Sequence, residues 1–139
     1  MMDRHDFFAA KLEYETDPSD VYAAQKAGAG LVIVDVRSDE AWAQGRAAGA
    51  IHMHYSEIAE RAPEEIPQST EVVVYCWSPG CNAGAKAALE FARLGYAVRE
   101  MIGGFEYWVR EGYPVEDRDG IHRRPIDPLT GVPRVRTRP

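Results

Sequence analysis

Two continuous apolar runs constrain this chain most: "LVIVDV" at residues 31–36 and "EVVVYC" at residues 71–76. Neither alternates apolar with polar positions. Strands of that kind are buried on both faces, as the inner strands of parallel sheets are. The segments around them carry helix punctuation. In "DPSDVYAAQKAG", Asp17 can cap, Pro18 suits the first helical position, Asp20 sits in the first turn and Gly28 can end the helix. "SDEAWAQG" predicts a short helix from Ser38, and "SEIAERAPEEIP" a helical piece stopped by its prolines. "AIHM" and "AVREMI" read as short strands, and "GGFEYWVREG" as a short helix led by a double glycine. After Asn82, Lys86, Glu90 and Arg93 make a polar stripe, while Ala85, Ala88, Leu89 and Ala92 make an apolar face ending near Gly95. Strands alternate with helices, so the expected class is α/β, with a central, mainly parallel sheet flanked by helices on both faces.

The length of 139 residues suits one domain. A chain of that size buries roughly 70% of its unfolded surface, enough for a core without staples. Three parts are expected: an N-terminal helical extension over 1–16, with Phe7, Phe8 and Leu12 on one face; the main domain over 17–116; and an extended basic tail over 117–139. The tail holds six arginines and three aspartates in a chain whose net charge is −6. Such a tail reads as lying on the acidic body, as a clasp on a neighbouring subunit, giving a homodimer, or as a docking segment for an acidic partner. The acidic balance excludes general binding to nucleic acid or anionic membranes. No apolar run approaches the roughly 18 residues that mark a membrane span. The opening "MMDRHDFFAAKLEYE" lacks the apolar core of a secretory signal, and with only two cysteines the expected setting is a reducing cytoplasm.

Both cysteines fall in one short loop, "CWSPGCN", between the second apolar run and the next helix. In open α/β sheets ligands bind beyond the carboxyl ends of the strands, which is where Cys76 stands. The helix behind it presents free N–H groups and the positive end of its dipole. A thiolate there is stabilised and becomes a better nucleophile at neutral pH. Gly80 and Gly84 permit a tight curve in which successive amides turn inward as an anion cradle, formed by Trp77, Ser78, Pro79, Gly80, Cys81 and Asn82. Pro79 stiffens this loop and removes one donor. The bland alternative is a small buried thiol at a strand end.

Further residues sharpen the comparison. "DVR" at Asp35–Arg37, "AWAQG…GAIHM" across 41–53, "VVVYC" ending at Cys76 and "GGFEYW" at Gly103–Trp108 occur in an order and spacing that resemble a single-domain rhodanese, a sulfurtransferase, over about residues 17–116. The resemblance implies that Cys76 takes a sulfane sulfur from a donor, carries it as a persulfide and yields it to a nucleophilic acceptor. The partners implied are a small sulfur donor and a thiol acceptor, with no cofactor. Asp35 and Arg37 would support the loop from beneath, and the double glycine would let a turn pass close to it. The chain departs from the family pattern in reading "GRAAGA" at 45–50, in a longer loop, and in having no basic side chain between Cys76 and Asn82. A related branch of the fold grips phosphate with a loop arginine, so phosphatase and arsenate-reductase chemistry are disfavoured. The same absence disfavours thiosulfate against a persulfide donor.

Cys81 follows Cys76 by five residues, close enough for a disulfide. It can attack a persulfide or sulfenic acid on Cys76 as a resolving thiol, or merely fill the loop. Trp77 can wall the site, or pack on a neighbouring helix. Phe105, Tyr107, Trp42 and Trp108 read as core or rim. His52 and His54 share a face of the "AIHM" strand, but the cysteine and histidine spacing fits no zinc site, so no metal is expected. The reading is a sulfurtransferase carrying sulfur on Cys76. The alternative is a weakly catalytic or non-catalytic rhodanese-fold module for partner binding or redox sensing through Cys76 and Cys81.

Overall fold

A computed structural model describes residues 1–133; Arg134, Arg136 and Arg138 of the basic tail lie outside the described residues. In chain order the elements are α1 (Arg4–Tyr14), β1 (Glu15–Thr16), α2 (Pro18–Lys26), β2 (Val32–Asp35), α3 (Asp39–Gln44), β3 (Arg46–Ala47) and β4 (Ile51–His52). A 3₁₀ turn (Tyr55–Glu57) and α4 (Ile58–Glu65) follow. The remainder comprises β5 (Val72–Tyr75), α5 (Ala83–Arg93), β6 (Val98–Met101), α6 (Gly104–Arg110), β7 (Val115–Asp117) and β8 (Gly120–His122).

The two apolar runs become β2 and β5, paired in parallel with Val34 opposite Val74 and Asp35 opposite Tyr75. They sit inside a five-stranded sheet of order β1-β6-β5-β2-β4, in which every pairing is parallel. Two-sided burial follows from the pleat, which sends successive side chains to opposite faces. On one face Val34, Val36, Val72, Val74 and Cys76 pack against Ile58 and Ala62 of α4 and Ala87 and Phe91 of α5. On the other, Ile33, Val73, Tyr75 and Met101 meet Val21 of α2, Trp108 of α6 and Val115 of β7. Each such fully buried aliphatic or aromatic side chain contributes about 1.5–3 kcal/mol. Asp17 caps α2 by accepting the Asp20 amide at 2.9 Å, with Pro18 at the first turn and Gly28 at φ +76° behind it.

Several expectations are corrected. Helix α5 buries Gly84, Ala87 and Phe91, not Ala85, Leu89 and Ala92. Alanine occurs all round this helix, so the pattern does not set its phase; the bulk of Phe91 does. Helix α4 continues through Pro63 instead of stopping at it. Helix α1 forms behind a capping box at Asp3 and Asp6, but Phe7, Phe8 and Leu12 stay exposed. The N-terminal extension supplies a strand of the main sheet, because Glu15 and Thr16, just before the 16/17 division, pair with Glu100 and Met101.

The division at 116/117 falls inside β7. Strands β3, β7 and β8 form a separate antiparallel sheet, turned through Gly120 at φ +104°. The start of the expected extended tail is therefore a hairpin, and Arg123 and Asp127 after it bond to their own chain. Arg123 donates to the Tyr22 hydroxyl at 2.5 Å, Asp127 donates its amide to the Arg110 carbonyl at 2.7 Å, and Arg110 pairs with the Asp127 carboxylate.

Candidate active site

Strand β5 delivers Cys76 to the carboxyl end of the sheet, on the face covered by α4 and α5. Cys76 is buried, at 5% exposure, while Cys81 is half-buried. Their sulfurs form a disulfide, across a Cα–Cα distance of 6.4 Å, within the reach expected from their spacing. Ser78 organises the turn between them. Its carbonyl accepts the Cys81 amide at 3.0 Å and its Oγ accepts the Gly80 amide at 3.3 Å. In the disulfide-bonded loop those two amides thus serve Ser78, a departure from a cradle in which all loop amides face a substrate.

Other donors stay available. The amides of Trp77 and Ser78, and those of Ala83, Gly84 and Ala85 in the first turn of α5, donate to no acceptor among the described residues. Asn82 occupies the cap position of α5 without a side-chain cap bond. Pro79, Gly80 and Asn82 lie exposed on the loop's outer side. Neither Gly80 nor Gly84 has positive φ, which corrects the reason expected for them. Gly84 is small because a Cβ there would lie 2.7 Å from Glu100 Oε2. Burial, with Glu15 opposite it, raises the pKa of that Glu100 carboxyl.

The double glycine does bring α6 against the loop. Gly103 and Gly104 have φ of +86° and +65°, and a Cβ on Gly104 would lie 2.6 Å from the Cys76 carbonyl oxygen. The first amides of α6 then hold the loop: Phe105 N–H donates to the Cys76 carbonyl and Glu106 N–H to that of Trp77, both at 2.8 Å.

Asp35 and Arg37 lie on the opposite face, both buried. Arg37 Nε and Nη2 grip the Asp35 carboxylate fork-wise, at 2.7 Å for the closest contact, and Nη2 also reaches the Gly45 carbonyl at 2.6 Å. The guanidinium stands 4.4 Å from the ring centres of both Trp77 and Phe105. Its Nη1 is buried with no hydrogen-bond acceptor among the described residues, and the negative ring faces stand in for one. Hence a cation lies beneath a loop that has none of its own, but it is already neutralised. Tyr75 completes the cluster, donating to Asp35 Oδ2 at 2.5 Å and accepting the Ala47 amide at 3.0 Å. Burial, then the Asp35 charge, pushes the Tyr75 pKa well above its ordinary value. The sequence reading missed Tyr75; its position opposite Asp35 was the available signal.

The histidines part company. His52 bonds the Arg37 carbonyl at 2.7 Å and stacks on Trp42, whereas His54 caps the 3₁₀ turn through Nδ1. Outside the loop, Trp77, Ser78, Phe105, Val109, Arg110 and Arg124 line most of a cleft of about 680 Å³. Arg124 comes from the segment expected to be an extended tail on the body or on a partner.

Taken together, these features define an α/β domain with a cysteine loop at the carboxyl end of a central parallel strand. A sequence model of the rhodanese-like domain matches residues 17–111. A thiosulfate sulfurtransferase, GlpE, of Actinobacillus succinogenes is 36% identical over 94 residues, spanning 65% of this chain and 79% of that protein. Thiosulfate sulfurtransferase 16, chloroplastic, of Arabidopsis thaliana is 29% identical over 100 residues, spanning 63% of this chain and 82% of that protein. The crystal structure of the BH2092 protein from Bacillus halodurans superposes with a TM-score of 0.78 at 38% identity, covering 84% of this chain and 85% of that one. The chain belongs to the rhodanese-like family. Among the described residues no helix is long and apolar enough to cross a membrane.

Proposed function

We propose that this protein is a sulfurtransferase that carries sulfane sulfur as a persulfide on Cys76. The observation that carries this reading is the placement of Cys76 at the end of β5, beside the unpaired amides of Trp77 and Ser78 and the first turn of α5. The Cys76 thiolate attacks the outer sulfur of a donor R–S–SH. The donor's S–S bond breaks, R–S⁻ leaves, and Cys76 becomes Cys–S–SH. An acceptor thiolate then attacks the terminal sulfur and Cys76 leaves as thiolate, a ping-pong exchange. Free N–H groups and a helix N-terminus stabilise each anionic form without a loop cation.

An organic persulfide suits this site better than thiosulfate. The loop between Cys76 and Asn82 carries no cation of its own, and Arg37 beneath it is consumed by Asp35, so a thiosulfate dianion would be held by amides alone. Steady-state transfer from thiosulfate and from glutathione persulfide to a thiol acceptor tests this. The expected result is higher kcat/KM with the persulfide and loss of turnover in Cys76→Ala. Preference for thiosulfate contradicts the donor assignment, and undiminished turnover in Cys76→Ala contradicts the carrier. The disulfide favours a second reading, a thiol redox sensor with little transferase activity; absence of turnover with either donor would support it.

A further inference from the structure

We propose that Cys81 is an internal acceptor: it attacks the Cys76 persulfide, releases the carried sulfur as sulfide, and leaves the Cys76–Cys81 disulfide for a dithiol to reduce. The inference rests on Cys76 carrying a persulfide and adds a second activity, the reduction of sulfane sulfur to hydrogen sulfide.

The loop is built for this attack. A resolving thiol must reach the sulfur bonded to Cβ of Cys76, since attack there expels the terminal atom. Cys81 Sγ stands at bonding distance from that atom, over a Cα–Cα separation within the usual disulfide range. Ser78 fixes the approach through the Gly80 and Cys81 amides. The α6 amides of Phe105 and Glu106 pin the loop's start to the Cys76 and Trp77 carbonyls. A nucleophile held this way competes with dissolved acceptor thiols by proximity.

The step balances. Cys81–SH and Cys76–S–S⁻ give the Cys76–Cys81 disulfide and HS⁻. One S–S bond forms as another breaks, the thiol proton leaves with the sulfide, and the sulfane sulfur is reduced as both cysteines are oxidised. A dithiol then restores the pair and is itself oxidised to a disulfide. It attacks Cys81, the more accessible sulfur, because Cys76 is buried at 5% exposure. Cys76 departs as thiolate toward the donors at the start of α5, ready for the next donor.

Fully reduced protein, freed of reductant and kept without oxygen, is mixed with benzenethiosulfonate, whose by-product sulfinate is not a thiol. Wild type is expected to release about one sulfide per chain in a burst and to lose two hydrogens in intact mass. Without the donor its mass should not change. The Cys81→Ser variant should instead hold a gain of about 32 Da and release no sulfide until a dithiol such as dithiothreitol is added. Wild type that keeps the added sulfur and releases no sulfide overturns the proposal while leaving the persulfide reading standing. No added mass in Cys81→Ser together with no sulfide from wild type overturns both.

Discussion

Arg37 carries its charge into the space between Trp77 and Phe105 and leaves it there already matched by Asp35. Removing one partner of such a buried pair costs about 3–5 kcal/mol, because the other charge stays buried. The pair therefore supports the loop from beneath instead of meeting a substrate. Glu100 is the opposite case. Burial raises its pKa first, and Glu15, directly across the β1–β6 pairing, adds like charge. A carboxyl with a raised folded pKa contributes stability that is fully present below the ordinary range near about 4.3 and is lost as pH rises through the folded value. Glu100→Gln should thus stabilise the protein near neutral pH by roughly 0.2–1 kcal/mol, the range for like charges facing across strands. The gain should fade to nothing below about pH 4. Urea unfolding of both proteins across that range checks it; a gain that persists at low pH would refute the burial argument.

At the scale of elements, the contact between α6 and the cysteine loop is the one on which the site depends. Gly104 has no room for a side chain, since a Cβ would meet the Cys76 carbonyl at 2.6 Å and the Ser78 amide at 2.9 Å. Its φ of +65° is also costly for an L side chain. Gly104→Ala should destabilise the fold by about 1–3 kcal/mol and lower sulfur transfer more than Gly103→Ala, whose added Cβ meets only the Tyr107 side chain. Equal transfer by the two variants, measured on folded protein, would remove α6 from the account. The glycine pair was legible in the sequence as an approach to the site, and so were β2, β5 and the capped start of α2. These carry strong local signals: two-sided β-branched runs, or a cap residue followed by proline. The phase of α5 was not legible, because alanines fit every side of it and Phe91 alone decides. Nor was the β3-β7-β8 sheet. Its strands are two or three residues long and are held by non-local pairing and the Gly120 turn. The disulfide was legible only as a reachable distance between Cys76 and Cys81.

In the whole molecule, the described residues after the family match, 112–133, fold back onto the domain. Arg123 meets Tyr22 on α2, Asp127 meets Arg110 on α6, and Arg124 borders the cleft beside Trp77 and Ser78. The described segment thus stays with its own domain, and the excess positive charge expected of the tail falls to Arg134, Arg136 and Arg138. The parallel sheet holds Cys76 at a strand end, α5 offers its N-terminus, α6 pins the loop, and the C-terminal segment shapes the approach. On the function proposed above, these parts serve a single sulfur that takes another. The most direct test is to treat reduced Cys81→Ser protein with benzenethiosulfonate and to locate the added mass by tandem mass spectrometry of its peptides. The account predicts a gain of about 32 Da on the peptide bearing Cys76 and on no other. An unchanged Cys76 peptide, under conditions where the donor is in excess and the protein is folded, would contradict it.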